Sequence, residues 1–392
     1  MKPRDLSHPA PGRALRITLV CNTAFAIHTY RPGLIRRLVA GGVDVTVLAP
    51  RDRTFDLIAA MGCRCIELPV ASKGTSPRDD LRTLWALYRA YRTVRPDVVF
   101  HYTIKPNIYG SIAAKLAGVA SVAVTTGLGY VFIQQSRAAQ VAKKLYRFAF
   151  RFPREVWFLN RDDLAAFTDQ KLLVHPDRAR LLHGEGVDLD HFAYTPPADA
   201  DASGATQPFT FVLIGRLLWD KGVGEYVEAA RGLRARYPQA RFALLGPVGV
   251  DNPSAITRDE VAAWEREGVI EYLGEAHDVR PVIAAAGCVV LPSYREGVPR
   301  TLMEASAMGR PVIATDVPGC RETVDDGVNG LLCTVRDAAS LRDAMARMLD
   351  MTDSARRAMG ERGRLKVTVE FDERGVVERY IETIKTLTGV SL

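Results

Sequence analysis

The strongest constraint in the sequence is an alternation of short β-branched runs with helical patterns, which occurs in both halves of the chain. In the first half, LRITLVC (15–21) and DVTVLAP (44–50) are continuous apolar runs, and each is followed by residues with helical periodicity. Such runs alternating with helices are typical of a parallel sheet covered on both faces. The alternation restarts with FTFVLIGR (209–216) and continues through CVVLPSY (288–294). The sequence therefore predicts an α/β fold with two doubly wound domains.

A segment of small, polar and proline residues, TPPADADASGATQP, separates the two alternating regions. This composition is typical of a linker. We therefore expect a first domain over 1–194, a linker over 195–208 and a second domain over 209–370. A last helix within 371–392 follows a surface helix and is expected to return to the first domain. A chain of 392 residues is long enough for two hydrophobic cores.

The composition is that of a soluble globular protein, with 47% hydrophobic and 25% charged residues. No apolar run reaches the roughly 18 residues that span a bilayer, and the polar start MKPRDLSHPAPGRA lacks the apolar core of a signal peptide. The sequence therefore indicates a cytoplasmic protein. Cys63 and Cys65 form a C-x-C without a second pair at zinc spacing, which favours structural cysteines.

The charge is unevenly distributed between the two halves. Residues 1–192 contain 28 Lys and Arg and 16 Asp and Glu, a net charge of +12, whereas residues 193–392 contain 24 and 29, a net charge of −5. A basic half joined to an acidic half suggests that the first half meets an anionic surface. A membrane leaflet and a diphosphate-linked acceptor fit this charge. Nucleic acid is disfavoured because the chain carries no recognised nucleic-acid-binding motif.

A phosphate-binding pattern follows the first strand of the second region, in LIGRLLWDKG (213–222). The strand ends at Gly215, which leaves Arg216 and Lys221 on the loop that leads into the next helix. Arginine binds phosphate through two parallel hydrogen bonds, lysine acts as a point charge, and Gly222 lets the backbone approach. A solvated basic loop would carry the same residues, so the pattern needs a second feature beside it.

That second feature is a glutamate pair in LPSYREGVPRTLMEA (291–305). Glu296 closes a strand, and Glu304 is expected about two turns into the following helix. The start of this helix offers free backbone N–H groups and a positive dipole end to a diphosphate, and Pro299 suits a first helical turn. Alone, Glu296 is equally well explained as a capping carboxylate and Glu304 as a solvent-facing residue. Their spacing after a strand, with the basic loop upstream, favours a binding site.

Three segments together resemble the retaining family-4 glycosyltransferases of the GT-B fold. They are GRLLWDKG, YLGEAHDV and LPSYREGVPRTLMEASAMGRPVIATDVPGCRETVDDGVNG. The resemblance covers nearly the whole chain and is densest over 213–333, where the E-x7-E element of the family corresponds to Glu296 and Glu304. The segments KPNIYGSIAAKLAG and TTGLGYVF resemble bacterial enzymes that build undecaprenyl-diphosphate-linked glycans, N-acetylgalactosaminyltransferases among them.

The resemblance implies two Rossmann-like domains that face a central cleft, and a nucleotide-diphosphate sugar, expected to be UDP-linked, as the donor of a hexose or N-acetylhexosamine. It implies that Arg216 and Lys221 neutralise the departing diphosphate, that Glu296 holds hydroxyls of the donor sugar, and that Glu304 binds the ribose. Glu275 would face the nucleobase. The other donor-binding residues that it implies are Gly215, Gly297, Val298, Pro299, Arg300 and Thr301.

Neither a metal nor a cofactor is expected, since the family that the chain resembles needs no metal in its active site. The two D-x-D stretches support this expectation. DAD (199–201) lies in the linker, and DLD (188–190) lies in GEGVDLDHF, which resembles the stretch between the domains.

The acceptor half departs from the family pattern. Aligning the segment that begins at Lys105 places Ile104 where family members often carry a histidine. A retaining transfer can proceed without that histidine, because the departing phosphate oxygen can accept the proton of the acceptor. The expected acceptor is a sugar on a lipid diphosphate, as the resemblance implies. The candidate acceptor-side residues are Lys105, Asn107, His101, His28 and Arg31.

A basic aromatic segment, RAAQVAKKLYRFAFRFPR, covers 137–154. It fits a helix on a membrane surface, and it also fits a solvated helix that packs its aromatic side chains inward. The basic first half and the lipid-linked acceptor favour the membrane, and with it a peripheral position on the inner leaflet. The residues expected at the membrane surface are Lys143, Lys144, Arg147 and Arg151.

Other functions remain open at this level. A nucleotide-sugar epimerase of similar fold would use the same donor site, whereas a phosphorylase would need a lysine for a pyridoxal Schiff base, and none is identified. A non-catalytic protein that binds nucleotide sugar or lipid would have little use for Arg216, Lys221, Glu296 and Glu304 together.

Overall fold

The computed structural model describes residues 13–69, 76–128, 137–196 and 208–392. In chain order, its elements in the first half are β1 (Arg16–Val20), α1 (Ala24–Tyr30), α2 (Pro32–Ala40), β2 (Asp44–Ala49), α3 (Phe55–Ala60), β3 (Arg64–Glu67), α4 (Pro77–Val94), β4 (Val98–Tyr102), a π-helical turn (Pro106–Gly110), α5 (Ser111–Ala117), β5 (Ala120–Thr125), α6 (Arg137–Ala149), β6 (Glu155–Phe158), α7 (Arg161–Asp169), a 3-10 turn (Pro176–Arg178) and β7 (Ala179–Leu181).

The elements of the second half are β8 (Thr210–Ile214), a 3-10 turn (Trp219–Lys221), α8 (Val223–Leu233), β9 (Arg241–Leu245), α9 (Arg258–Arg266), β10 (Glu271–Tyr272), α10 (Arg280–Ala285), β11 (Cys288–Leu291), α11 (Arg300–Ala307), β12 (Val312–Thr315), α12 (Cys320–Thr323), β13 (Gly330–Cys333), α13 (Ala338–Asp350), α14 (Asp353–Glu370) and α15 (Glu373–Thr388).

The first compact unit ends at Glu185 and takes in Glu373–Leu392. Its seven-stranded sheet has the order β3-β2-β1-β4-β5-β6-β7, and every described strand pair is parallel. The strand order reverses between β1 and β4, which is the hallmark of a doubly wound sheet. Helix α15 packs against this sheet, because the ring of Tyr380 contacts those of Phe100 and Trp157, with centroids 4.9 and 4.8 Å away.

Helices α4, α5 and α6 cover the same face of this sheet. Val99 pairs in register with Ser121, and Ala123 pairs with Val156, so Val99, Ala123 and Val156 point to one face. Val99 packs with residues of α4 and α5, and Ala123 and Val156 pack with residues of α6. The inward side chains of these helices are Leu87 and Tyr91 of α4, Ala113 and Ala114 of α5, and Tyr146 and Ala149 of α6. The opposite surfaces of all three helices therefore point away from the sheet on one side of the unit.

The second compact unit covers Gly186–Asp372. Its six-stranded sheet has the order β10-β9-β8-β11-β12-β13, again with parallel pairs throughout the described strands. Phe211 and Leu213 of β8 lie in a core with α8 and α13. The predicted fold class, two doubly wound parallel-sheet domains, is confirmed. That the domains face one another across a cleft stays a prediction.

The unit boundary lies at Glu185, earlier than the predicted end of the first domain at residue 194. The residues after Glu185 are fixed within the second unit: the backbone N–H of Val187 donates to Phe371 at 2.9 Å, and Arg364 donates to the carbonyl of Phe192 at 3.0 Å. Within the predicted linker, residues 197–207 lie outside the described part of the chain. None of the described helices combines the length and the apolar character that crossing a membrane requires.

Candidate active site

The predicted phosphate and glutamate motifs follow two strands that are neighbours in the sheet of the second unit. Arg216 and Lys221 follow β8, and Glu296 follows β11. In the order β10-β9-β8-β11-β12-β13, these are the adjacent strands at which the chain reverses direction across the sheet. Helices leave such a switch point on opposite faces, so the loops diverge and leave room for a ligand beyond the strand ends.

A glycine allows the two loops to touch. Gly222 has a φ of 71°, in the left-handed region, and a Cβ built on it would lie 2.1 Å from the carbonyl oxygen of Pro292. A side chain at this position would therefore separate the loops. The backbone N–H of Tyr294 donates to the carbonyl of Asp220 at 3.0 Å, which joins the loops directly.

Lys221 and Glu296 form an ion pair through Nζ and Oε1. The side chains are 23% and 13% exposed, so the pair is only partly open to solvent. Attraction between opposite charges is stronger in such a setting than in bulk water. The arrangement holds an ammonium group and a carboxylate side by side at the strand ends, where one can contact a phosphate while the other accepts hydrogen bonds from hydroxyls.

The loop after β12 supports Glu296 from the other side. Gly319 has a φ of 82°, and a Cβ on it would lie 2.3 Å from the carbonyl oxygen of Gly297 and 2.7 Å from that of Glu296. The backbone N–H of Glu296 donates to Pro318 at 3.3 Å. Three loops, those after β8, β11 and β12, therefore fix the backbone of the glutamate.

Arg216 is the exposed cation of the site. Its guanidinium forms no hydrogen bond or ion pair with any residue in the described part of the chain, and its backbone directly follows Gly215. An exposed guanidinium on the same loop as Lys221 is available to an incoming anion, and arginine suits a phosphate because its donors form a planar fork.

The second glutamate, Glu304, lies in α11. This helix begins at Arg300, with Pro299 at its N-cap position, so Glu304 lies little more than one turn into the helix and not two as predicted. Its carboxylate accepts a hydrogen bond from Arg300 Nε at 2.6 Å. Glu304 does not face solvent: burial raises the pKa of its carboxyl, and the charge of Arg300 opposes that effect.

Other donor-side residues cluster at neighbouring strand ends. Thr301 Oγ1 lies 3.5 Å from the carbonyl of Ile214 at the end of β8, and Val298 is buried beside the start of α11. Glu275 is exposed and directly follows Gly274, whose carbonyl accepts a hydrogen bond from Gly246 at 2.8 Å. The predicted residues therefore occupy one edge of the second unit's sheet.

In the first unit, His101 is a core residue, which corrects its prediction as an acceptor-side group. The imidazole is completely buried, and Nε2 lies 2.9 Å from the hydroxyl of Tyr91. Burial lowers the pKa of His101 to about 3, so the ring is neutral at physiological pH. A Cβ on Gly110 would lie 2.5 Å from the ring, so the π-helical turn closes over it.

Arg31 is also buried, which corrects the expectation that it is available to an acceptor. It forms an ion pair with Glu185, and the two side chains are 4% and 7% exposed. The guanidinium lies over the ring of Tyr102, 4.5 Å from its centroid, and 5.9 Å from that of Tyr380 in α15. Its contacts indicate that Arg31 stabilises the fold where α15 returns to the first unit.

The remaining acceptor-side candidates differ in accessibility. Lys105 Nζ lies 3.0 Å from Asp80 Oδ1, with both side chains less than one-fifth exposed. Asn107 is buried and donates to the carbonyl of Val124 at 2.9 Å, which corrects its prediction as a contact group for the acceptor. His28 is half-buried in the last turn of α1. Of these three, Lys105 and His28 keep accessible surface.

Two families match the chain, one in each half, and the two matches together cover most of its length. Residues 16–160 match the family described as glycosyl transferase 4-like, and residues 208–351 match glycosyl transferases group 1. The two matches fall one in each unit. The chain belongs to the group 1, GT4-like glycosyltransferases. The resemblance noted in the sequence is thereby confirmed, as is the expectation of a glycosyltransferase activity.

The glycosyltransferase is similar over its length to two curated bacterial enzymes. It is 25% identical to the N,N'-diacetylbacillosaminyl-diphospho-undecaprenol α-1,3-N-acetylgalactosaminyltransferase of Campylobacter jejuni, over 94% of this chain and 98% of that one. It is 26% identical to the UDP-Gal:α-D-GlcNAc-diphosphoundecaprenol α-1,3-galactosyltransferase of Escherichia coli, over 83% of each chain. Its fold is shared by Anabaena Alr3699/HepE, solved with UDP-glucose, at a TM-score of 0.77 and 19% identity, over 95% of this chain and all of the other.

Sequence reasoning missed Gly246, which lies at the same edge of the sheet as the candidate site. Its φ is 136°, and a Cβ on it would lie 2.0 Å from the carbonyl oxygen of Gly215, so the ends of β8 and β9 touch through two glycines. The signal was present: Leu-Ile-Gly, Leu-Leu-Gly and Tyr-Leu-Gly end the three successive strands β8, β9 and β10. A glycine after each apolar run indicates close approach of backbone at one edge of the sheet.

No group of three or more His, Cys, Asp or Glu side chains is placed as metal ligands would be, within residues 13–69, 76–128, 137–196 and 208–392. In DLD, Asp188 Oδ1 accepts hydrogen bonds from the backbone of Asp190 and His191, which is the geometry of a turn. The other D-x-D, DAD, lies outside the described residues. The expectation that the enzyme works without a metal stays a prediction.

Proposed function

We propose that the glycosyltransferase moves a hexose or N-acetylhexosamine, with retention of anomeric configuration, from a UDP-sugar to a sugar on a lipid diphosphate, in the synthesis of a bacterial surface glycan. The observation that carries the proposal is the Lys221–Glu296 ion pair at the switch point of the second unit, where the exposed Arg216 lies on the same loop as Lys221. A binding protein has no charge developing on a departing diphosphate to stabilise, whereas an epimerase of similar fold would share this site and differs from a transferase in leaving the acceptor unchanged.

The residues at this edge are suited to a dissociating diphosphate. The bond between the anomeric carbon and the β-phosphate oxygen breaks, and the acceptor hydroxyl bonds to the same carbon on the same face. Its proton passes to that phosphate oxygen, and UDP leaves. Arg216 and Lys221 stabilise the negative charge as it develops, where preorganised cations are most effective. Glu296 accepts hydrogen bonds from hydroxyls of the sugar.

Glu304 suits a ribose, as its place in α11 indicates. One carboxylate oxygen accepts a hydrogen bond from Arg300, and the side chain of Glu304 is 12% exposed. A ribose diol that donates to the carboxylate would stabilise its ionised form against burial. The same helix follows the end of β11, and the positive end of its dipole favours phosphate oxygens at its start.

The acceptor part of the proposal is supported by the two bacterial relatives, both of which act on sugars linked to diphospho-undecaprenol. Both relatives form α-1,3 linkages, and one of them uses UDP-Gal, an α-linked donor, which supports retention. The proposal includes no bound metal, because Arg216 and Lys221 supply the positive charge that a divalent cation supplies at many diphosphate sites.

We extend the proposal to a peripheral position on the inner leaflet of the cell membrane, through α6. Phe148 is 47% exposed and Val141 is 57% exposed, while Tyr146 and Ala149 face the core. The exposed basic residues described in the segment are Lys144, Arg147, Arg151 and Arg154, and Lys143 is half-buried. Apolar side chains among cations suit the interface of an anionic bilayer, where an acceptor on a lipid would also be found.

A donor panel tests the function. The protein is incubated with UDP- and GDP-sugars and with polyprenyl diphosphates that carry one sugar, and the mass of the lipid product is measured with and without EDTA. We expect a gain of one hexose or N-acetylhexosamine with a UDP-sugar, unaffected by EDTA. NMR of the product gives the anomeric configuration. No mass gain with any donor, from protein that binds UDP, would favour the binding-protein alternative.

A further inference from the structure

Helix α4 carries an exposed stripe of apolar and basic side chains that contact neither the core nor the candidate donor residues. The stripe comprises Leu81, Trp85 and the arginines at positions 78, 82, 89 and 92. Its buried face comprises Thr83, Leu87, Tyr91 and Val94, at spacings of three and four residues. On the opposite face, Leu81 is 66% exposed and Trp85 is 59% exposed. Large apolar side chains of this kind are normally covered.

The same stripe is basic. The exposed arginines of α4 are Arg78, Arg82, Arg89 and Arg92. Positions 78, 82, 85, 89 and 92 repeat at three and four residues, so the arginines flank Trp85 along one line of the helix. The acidic residues of α4 lie off this line: Asp80 pairs with Lys105 at 3.0 Å, and Asp79 lies near Arg82 at 4.0 Å.

Trp85 is held in place although it is exposed. Its ring stacks on that of Tyr88, with centroids 5.4 Å apart and an interplanar angle of 29°. Two stacked amphipathic rings lose little conformational freedom on binding, and tryptophan and tyrosine are the aromatic residues that concentrate at the membrane interface.

The stripe lies on the same side of the first unit as the exposed face of α6. Since α4, α5 and α6 all cover one face of the sheet, their outer surfaces point the same way. Among the described residues of this unit, eight large apolar side chains are exposed, and five of them lie on these three helices. The five are Leu81, Trp85, Leu116, Val141 and Phe148.

We propose that this stripe of α4, centred on Trp85 and Leu81, is a second bilayer contact that acts together with α6 and seats the first unit on an anionic leaflet. The inference rests on the proposed function for its lipid acceptor and extends the contact beyond the segment that the sequence indicated. Cationic side chains around a stacked aromatic pair complement anionic headgroups at the depth where indole rings partition.

A second copy of this chain is the less suitable occupant. A two-fold symmetric contact would bring the arginines of one α4 against those of the other, and like charges that face each other repel. An acidic protein partner would complement the charge, and the experiment separates it from a bilayer.

The experiment uses the full chain and vesicles of phosphatidylcholine with 30% phosphatidylglycerol, compared with phosphatidylcholine alone. The chain has four tryptophans, of which Trp157 is completely buried and Trp85 and Trp219 are exposed. Lipids that carry a quencher in the upper acyl chain report contact with indole rings. We expect quenching on anionic vesicles that is kept in Trp219→Phe and lost in Trp85→Phe.

Binding is measured by cosedimentation with the double variant Leu81→Ser/Trp85→Ser. We expect its partition coefficient to fall by about tenfold or more, as follows from exposing two large apolar groups to water. Leu57→Ser is the matched control, because Leu57 is 52% exposed in the same unit but lies on α3, and it should bind like the parent.

The outcomes separate the inference from the proposed function. If the protein binds anionic vesicles while Trp85 stays unquenched, α4 is not a contact, even if sugar transfer to lipid acceptors is observed. If the double variant changes the oligomeric state and not the partition, the stripe binds a second copy. If the parent binds no anionic vesicle at all, a bilayer contact is excluded and an acidic partner is favoured. Transfer of sugar to a short, water-soluble acceptor should be unchanged in the double variant, because this acceptor needs no bilayer. If the parent itself does not transfer sugar to such an acceptor, the proposed function is contradicted and the bilayer contact is not.

Discussion

Gly222 lies against the carbonyl oxygen of Pro292, and this contact brings the loops after β8 and β11 together. At this contact Gly222 has a left-handed backbone, with a φ of 71°, and the space beside its Cα is too small for any side chain. The Lys221–Glu296 pair depends on it, because each member of the pair stands within four residues of the contact. The candidate donor site is therefore held by the backbone as well as by side chains.

Gly222→Ala should separate the loops. We expect it to lower the free energy of unfolding of the second unit by about 3 kcal/mol or more, since a left-handed alanine costs about 1–2 kcal/mol and the overlap with the carbonyl adds to it. Urea unfolding measures this loss. Calorimetric titration with UDP measures nucleotide binding, which we expect to be weaker once the loops are separated. Gly249→Ala is the control, because Gly249 has a φ of 65° but open space around it. We expect that variant to lose about 1 kcal/mol and to bind UDP like the parent. Equal losses in the two variants would show that the contact with Pro292 is unimportant.

Lys221→Met removes the charge and keeps most of the side chain. We expect kcat for transfer to fall by about 10²–10³-fold, the usual effect of removing one group that stabilises a developing negative charge. Lys366→Met provides the comparison, because Lys366 pairs with Asp325 at 2.9 Å in the same unit and its side chain is 13% exposed. Steady-state kinetics of UDP release measure both. A similar loss of kcat in the two variants would remove Lys221 from the active site.

Because His101 is buried in its neutral form, we predict that the free energy of unfolding of the first unit falls in acid. The folded protein keeps the ring neutral down to a pKa of about 3, whereas the unfolded chain takes up the proton near pH 6.5. Between these values the unfolded state binds more protons. The contribution of His101 is therefore present above about pH 6.5 and is lost as the pH falls toward 3, by up to about 1.4 kcal/mol per pH unit.

Urea unfolding at pH 6.5 and pH 5 tests this sign. In His101→Gln the free energy of unfolding should differ less between the two pH values, because the titrating imidazole is absent. Tyr91→Phe is the control: it removes the hydroxyl 2.9 Å from Nε2 but keeps the imidazole, so it should lose the same stability at both pH values. A His101→Gln variant with the pH dependence of the parent would contradict the prediction.

Arg31→Met tests whether Arg31 stabilises the fold. The variant leaves the carboxylate of Glu185 buried without its cation, and we expect a loss of about 3–5 kcal/mol in the free energy of unfolding. Arg37→Met is the matched control, because Arg37 pairs with Glu378 of α15 at 3.9 Å with exposed side chains and should lose less than about 1 kcal/mol. The double variant Arg31→Met/Glu185→Gln should recover part of the loss. If Arg31→Met kept the stability of the parent but bound the acceptor more weakly, Arg31 would be an acceptor-binding residue, as the sequence predicted.

The candidate donor residues are visible in the sequence because each lies in a local pattern, and the structure brings these patterns to one edge of the second sheet. Their contact with a donor stays a prediction. A strand end followed by glycine and a cation, or by glutamate and a helix start, is visible within ten residues of sequence. The acceptor-side predictions were weaker for a physical reason. His101, Asn107 and Arg31 are polar residues near strand ends, and sequence position alone does not distinguish a polar side chain that faces a ligand from one whose partners lie inside the fold.

The sequence by itself determined the alternating α/β architecture, the two domains and the choice of candidate donor residues, because hydrophobic periodicity and short motifs depend on neighbours along the chain. Only the tertiary structure decided that Lys221 pairs with Glu296 across 75 positions, that Arg31 meets Glu185, and that the surfaces of α4 and α6 point the same way. These relations depend on strand order and register, which bring together residues that are distant along the chain.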